Sequence, residues 1–182
     1  MRKKLLGAAA LLVLTVIAAS AQRTPTFAAY AVKVEKVRNI SVDLKSNKGA
    51  REFRTMLREA AKGGINFAGH YVMAGWGCGT NCEVLAVIDA RNGHVYFPKE
   101  LEGVGIGFLD LPPGPVATDA PEENEYQSGA YYKASSRLFA LQGFTGGGLD
   151  DKNAKCGTYY FEWTGNRLRK VAFVAGKRTD TP

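Results

Sequence analysis

Residues 69–98 read GHYVMAGWGCGTNCEVLAVIDARNGHVYFP, and their pattern decides the fold. Three apolar runs are separated by two turn signals, the glycine- and cysteine-containing stretch 77–82 and Arg91-Asn92-Gly93. Asn-Gly between apolar runs is a strong hairpin signal, because both residue types tolerate positive φ. The stretch therefore predicts an antiparallel meander. Its central run, Val84 to Ile88, is apolar at every position, as an inner strand covered on both faces should be.

Upstream of the meander, Phe53, Met56, Leu57, Ala60 and Ala61 fall on one face at helical spacing, so 48–62 is predicted to be an amphipathic helix ended by Gly63-Gly64. It covers one side of the inner strand. Arg51, Arg54, Arg58 and Lys62 line its other face as a solvated basic stripe without interleaved aromatics, which does not point to nucleic acid. Alternation at Val32, Val34, Ile40, Val42 and Leu44 predicts one or two early strands. Downstream, AYYKA (130–134), RLFALQGF (137–144), GTYYFEW (157–163) and RLRKVAFVA (167–175) predict further antiparallel strands, the last pair turning at Thr164-Gly165-Asn166. Residues 98–129 are rich in Gly, Pro and acid and predict a long surface loop, since proline cannot donate to a ladder. The fold class is α+β, a single domain of mostly antiparallel sheet over 32–176, with a tail at 177–182.

The N-terminus predicts the compartment. Arg2, Lys3 and Lys4 precede an apolar run from Leu5 to Ala19, and Ala19-Ser20-Ala21 supplies small residues for cleavage, the pattern of a secretory signal peptide over 1–21. The run is shorter than the roughly 18 to 20 residues that cross a bilayer, so no transmembrane segment is expected after cleavage. A secreted or periplasmic bacterial protein follows, with residues 22–31 as a flexible, Pro-containing lead-in. Loss of three basic residues with the signal lowers the formal charge from +7 to +4. What remains is segregated, with basic ends flanking an acidic middle, and such blocks can satisfy one another within the fold.

Three chemical readings compete at HYVMAGWGCGTNC, residues 70–82. The first makes Cys78 a nucleophilic thiolate with His70 as its base, the basis of a secreted hydrolase or thiol enzyme. An oxidising compartment disfavours a free thiol there, and eight residues of strand would separate the two by about 26 Å. The second is a zinc site drawn from Cys78, Cys82, Cys156, His70 and His94. It lacks the second close pair of a structural site, so neither metal nor cofactor is expected. The third is a disulfide. Closing Cys78 to Cys82 contributes only about 2 kcal/mol and closing Cys82 to Cys156 about 4.5, but geometry decides connectivity, and one cysteine of three must remain over. His70 beside Tyr71 reads as a structural histidine, and His94 as exposed. Gly146-Gly147-Gly148 lacks the Lys and Ser/Thr of a phosphate loop, Asp150, Asp151 and Asn153 miss calcium-loop spacing, and Glu122, Glu123 and Glu125 read as a solvated acidic loop.

The combination NFAGHY (66–71), WGCGTNC (76–82), VIDARNGHVYFP (87–98), SSRLFALQG (135–143) and CGTYYFEW (156–163) resembles a family of small secreted bacterial proteins with no known activity. The resemblance covers about residues 64 to 170 and implies a β-rich domain outside the cytoplasm. Members often carry a cysteine shortly after the RLFALQG strand, where this chain has Phe144. The resemblance thus implies that Cys156 has lost its partner and that Cys78 bonds Cys82.

Aromatic residues crowd the strands, often as adjacent pairs whose members face opposite sides of a sheet. Trp76, Tyr71, Tyr132, Tyr160 and Trp163 are accordingly the candidate binding residues, on a face suited to a sugar ring or a protein partner. With no complete catalytic constellation, the leading expectation is a non-enzymatic binding module that engages an envelope protein or glycan through that face and the 98–129 loop. Oligomeric state has no signature in the chain.

Overall fold

The computed structural model describes residues 24–80, 82–105, 109–110, 119, 129–146 and 154–178. The expected signal segment lies outside these residues, as do Gly147, Gly148, Asp150, Asp151, Asn153 and most of the 98–129 loop, including Glu122, Glu123 and Glu125.

A 3-10 turn at Ala28–Tyr30 is followed by α1 (Lys48–Glu52) and α2 (Arg54–Lys62). Strands β1 (Tyr71–Gly79) and β2 (Cys82–Asp89) form an antiparallel hairpin, and β3 (Val95–Tyr96) and β4 (Val104–Gly105) pair with the two ends of β2's other edge. The expected meander with β2 inside is thus the first sheet. Strand β5 (Leu109–Asp110) pairs with β10 (Lys177–Arg178). The second large sheet is antiparallel in the order β6 (Ala130–Tyr132), β7 (Leu138–Gly143), β8 (Gly157–Trp163), β9 (Leu168–Ala175). The chain is α+β and mostly antiparallel sheet.

Strand alternation sorts the apolar side chains into layers. Met73, Leu85 and Val87 of the first sheet meet Phe139, Phe161 and Trp163 of the second in the main core. On the first sheet's outer face, Val72, Ala74 and Ile88 pack under Ala50, Leu57 and Ala61 of the helices. Leu138, Ala140 and Tyr160, on the second sheet's outer face, are covered by Phe27. That contact lies within the lead-in, which was expected to be flexible or to join an edge strand. Phe27 is 2% exposed, its carbonyl accepts from Ser136 Oγ at 2.8 Å, and its amide donates to Asp119 Oδ1 at 3.0 Å. An apolar ring that caps an otherwise bare sheet face removes enough apolar surface from water to hold the segment in place.

The helix departs from its expected course at Phe53, where ψ is 25° and α1 gives way to α2. Asn47 caps α1 by accepting from Ala50 N at 2.8 Å and donates to Val95 O at 2.6 Å, which ties the helix start to β3. Met56, expected on the buried face, is 50% exposed. Gly64, at φ 81°, ends α2 as expected.

The early strands expected between Val32 and Leu44 do not form. Apart from a single bridge at Ala31, this stretch is extended and bonded one rung at a time, Val32 N to Ser135 O, Glu35 N to Gly69 O and Asp43 N to Gly93 O. Alternation there reports half-burial of Ile40 and Val42 against the helix-side core without a ladder. The Asn-Gly turn also differs in detail, because only Gly93 takes positive φ, 78°. A Cβ at Gly93 would stand 2.4 Å from Ser41 O, so glycine is required by the close approach of the 41–43 backbone.

Candidate functional site

Cys78 and Cys82 are joined in a disulfide with a Cα–Cα distance of 5.2 Å, across the irregular end of the β1–β2 hairpin. The bond corrects the thiolate reading, since a disulfide sulfur is neither nucleophile nor zinc ligand. Cys156 lies half-buried just before β8, outside that bond. Among the described residues no group of three or more His, Cys, Asp or Glu side chains is placed to hold a metal ion.

His70 sits one residue before β1, at the opposite end of that strand from Cys78. Its Nδ1 is 3.6 Å from Glu35 Oε1 and its Nε2 3.9 Å from Asp89 Oδ1, and its ring stacks on Tyr71 with centroids 4.1 Å apart. Burial, then the Arg91 charge, lowers its pKa against the opposing pull of Asp89 and Glu35. Both carboxylates are engaged elsewhere. Arg91 grips Glu35 through Nε at 3.0 Å and through Nη2, which holds the Glu35 carboxyl below its usual range. Asp89 accepts from Arg91 N at 2.9 Å and Asn92 Nδ2 at 3.3 Å and so belongs to the turn. Thr164, in the same cleft of about 300 Å³, donates to Arg167 O at 3.1 Å. The cluster joins the 32–35 segment to the β2 turn. His94, expected exposed, is half-buried, its ring 4.6 Å from that of Tyr96.

Of the five candidate binding aromatics, the structure buries three. Tyr71, Tyr160 and Trp163 are 6%, 0% and 1% exposed. Strand β8 lies inside its sheet with both faces covered, so its adjacent aromatics are consumed by core on each side. Tyr71 donates to Gly165 O at 3.3 Å. Among the described residues the Tyr160 hydroxyl has no hydrogen-bond partner, and burial pushes its pKa up to about 12. Tyr132 is half-buried against Phe67 and Phe139.

Trp76 differs in what surrounds it. It is half-buried near the stapled end of β1, with its ring centroid 4.8 Å from Phe53 and 6.3 Å from Phe97. Phe53 and Phe97, with Val84 and Pro98, wall a groove of about 490 Å³ whose rim carries Asn47, Lys48, Glu52 and Glu102. A second cavity of about 570 Å³, reaching Tyr96 and Arg167, shares Asn47, Phe97 and Pro98 with it. The sequence did not single out Phe53 or Phe97 for this site, because their meeting depends on the break in the helix and on Gly49. A Cβ at Gly49 would approach Phe97 Cε2 to 2.9 Å. Glu83, on the core-facing side of β2, has a buried Oε2 without a hydrogen-bond partner among the described residues, and burial raises its pKa to about 7.

No protein-family model, curated protein or solved structure matches the chain. Among the described residues no helix is long and apolar enough to cross a membrane.

Proposed function

We propose that the protein is an exported, non-enzymatic binding module of the cell envelope, whose ligand is a protein or a glycan held at the Trp76 end of the molecule. The observation that carries this reading is the Phe53–Trp76–Phe97 cluster beside a groove with an aromatic wall and a polar rim. Aromatic walls give large contact area at small entropy cost, and rim polar groups orient what binds. The charged N-terminus followed by an apolar run supports export, and a disulfide is compatible with an oxidising compartment. The alternative, an enzyme using His70 and Cys78, loses its nucleophile to the disulfide. The test is retention of the oxidised protein by isolated envelope fractions. Trp76→Ala and Phe97→Ala are expected to weaken retention at least about tenfold, the loss of one good contact. Met56→Ala, on the exposed helix face, serves as the control. Equal retention of all three variants and the parent would refute the reading.

A further inference from the structure

We infer that the outer edge of β1, at Gly75 and Gly77, seats an extended polypeptide segment of a partner protein as an added strand. The inference rests on the binding reading above and names the partner's chemistry.

Among the described residues strand β1 pairs with another strand, β2, on one side only. In an antiparallel pair, alternate residues turn their N–H and C=O groups away from the partner. On β1 these are Tyr71, Met73, Gly75 and Gly77, as the bonds of the first two show. Tyr71 exchanges two backbone bonds with Phe67, at 2.9 and 3.1 Å. Met73 donates to Asn66 Oδ1 at 2.6 Å and accepts from Asn66 Nδ2 at 3.0 Å, so a side-chain amide stands in for the missing strand. The alternation then reaches Gly75 and Gly77. Both are exposed, and among the described residues nothing bonds their backbone groups. The fold closes two rungs of this edge and leaves the next two open.

Protein edges are usually guarded by lysine, proline or a covering element. The open stretch, Ala74-Gly75-Trp76-Gly77, has neither lysine nor proline, and the disulfide just beyond it keeps the hairpin end from fraying. Two N–H and two C=O groups repeating every second residue, about 6.8 Å apart, match the hydrogen-bonding period of another extended polypeptide, which a glycan lacks. The glycines bring no side chains to the core-side face. Trp76 stands on the helix-side face between this edge and Val84 of the groove. An added strand therefore places one side chain against the indole and meets no side chain at the flanking positions. The predicted ligand is an extended segment with an apolar or aromatic residue at one position and tolerance beside it.

The test pans a random linear peptide library on the full, disulfide-bonded protein and measures the best peptide against variants. Gly75→Pro removes an outward N–H and leaves the β1–β2 ladder intact, as proline at an edge allows. It is expected to bind the peptide at least about tenfold more weakly with an unchanged unfolding midpoint, and the bound peptide is expected to slow hydrogen exchange at the Gly75 and Gly77 amides. Peptides N-methylated at successive amides give the same test on the unaltered protein, with loss at alternate positions. A library that yields no binder, or binders indifferent to Gly75→Pro and to N-methylation, overturns the inference. Dimerisation abolished by Gly75→Pro, without peptide binding, overturns it in favour of a second copy. If Trp76→Ala abolishes envelope retention while Gly75→Pro leaves it intact, the edge inference falls and the groove reading stands. If neither variant changes retention, both fall.

Discussion

Replacing Asn66 with alanine removes both hydrogen bonds that close the β1 edge at Met73. Each such bond contributes about 0.5 to 1.5 kcal/mol net. Met73 is 2% exposed, so its freed N–H and C=O are poorly rehydrated, and the cost lies in the upper half of that range, about 2 to 3 kcal/mol for the pair. For a domain of this size that lowers the unfolding midpoint by about 4 to 12 °C. Guanidinium unfolding of the two proteins measures the difference directly, and amide exchange at Met73 locates it, because that proton should lose its protection while Val72 and Ala74 keep theirs. Asn66→Asp adds a sign check. It retains the acceptor for Met73 N but sets a carboxylate against Met73 O, so it should cost at least as much as alanine at neutral pH and less once the carboxyl is protonated. A change below about 0.5 kcal/mol in Asn66→Ala, within the range of ordinary surface substitutions, would refute the claim that this side chain completes the edge.

Glu83 is expected to titrate near pH 7, seen by NMR at its carboxyl carbon. Because its folded pKa is raised above the unfolded value, its contribution to stability is present below about pH 4.5 and is lost as pH rises through about 7; Glu83→Gln should remove that decline, and a midpoint near 4.5 would contradict its burial. Serine at both Cys78 and Cys82 should cost about 2 kcal/mol by the loop-closure model, read from denaturant midpoints, and no loss would mean that the hairpin end is held by other contacts. Tyr160→Phe removes a buried hydroxyl that has no partner among the described residues and should be neutral or stabilising, whereas a loss above about 1 kcal/mol would point to a bond at that oxygen. Phe27→Ala should destabilise by about 3 to 5 kcal/mol and expose the 24–31 segment to protease, and a loss below about 1 kcal/mol would show that this ring does not anchor it.

The meander was legible in the sequence because β2 is apolar at successive positions and is bounded by glycine-containing turns. The helix was legible from Leu57 and Ala61, but not its break at Phe53, which answers to packing against Trp76 and Phe97 rather than to local propensity. Alternation from Val32 to Leu44 misled because half-burial carries the same period whether or not a ladder forms. The aromatic strands raised the right question, what covers the second face, without its answer. That answer is Phe27, held to Ser136 at a separation of 109 residues that no local pattern encodes. The Cys78–Cys82 pairing was open in the spacing alone, because Cys156 offered a second partner and geometry decides connectivity. The open rungs at Gly75 and Gly77 depend on register, which is settled by the β1–β2 partners and by Asn66.

The bond between Cys78 and Cys82 is what closes the thiol chemistry and stiffens the edge beside Trp76. The most direct measurement is therefore intact-mass analysis of the protein alkylated before and after reduction, with peptide mapping of its three cysteines. The expected result is a Cys78–Cys82 linked peptide, with neither Cys78 nor Cys82 alkylated in unreduced protein. Alkylation of Cys78 without reduction would contradict it and make His70→Ala the next variant to assay.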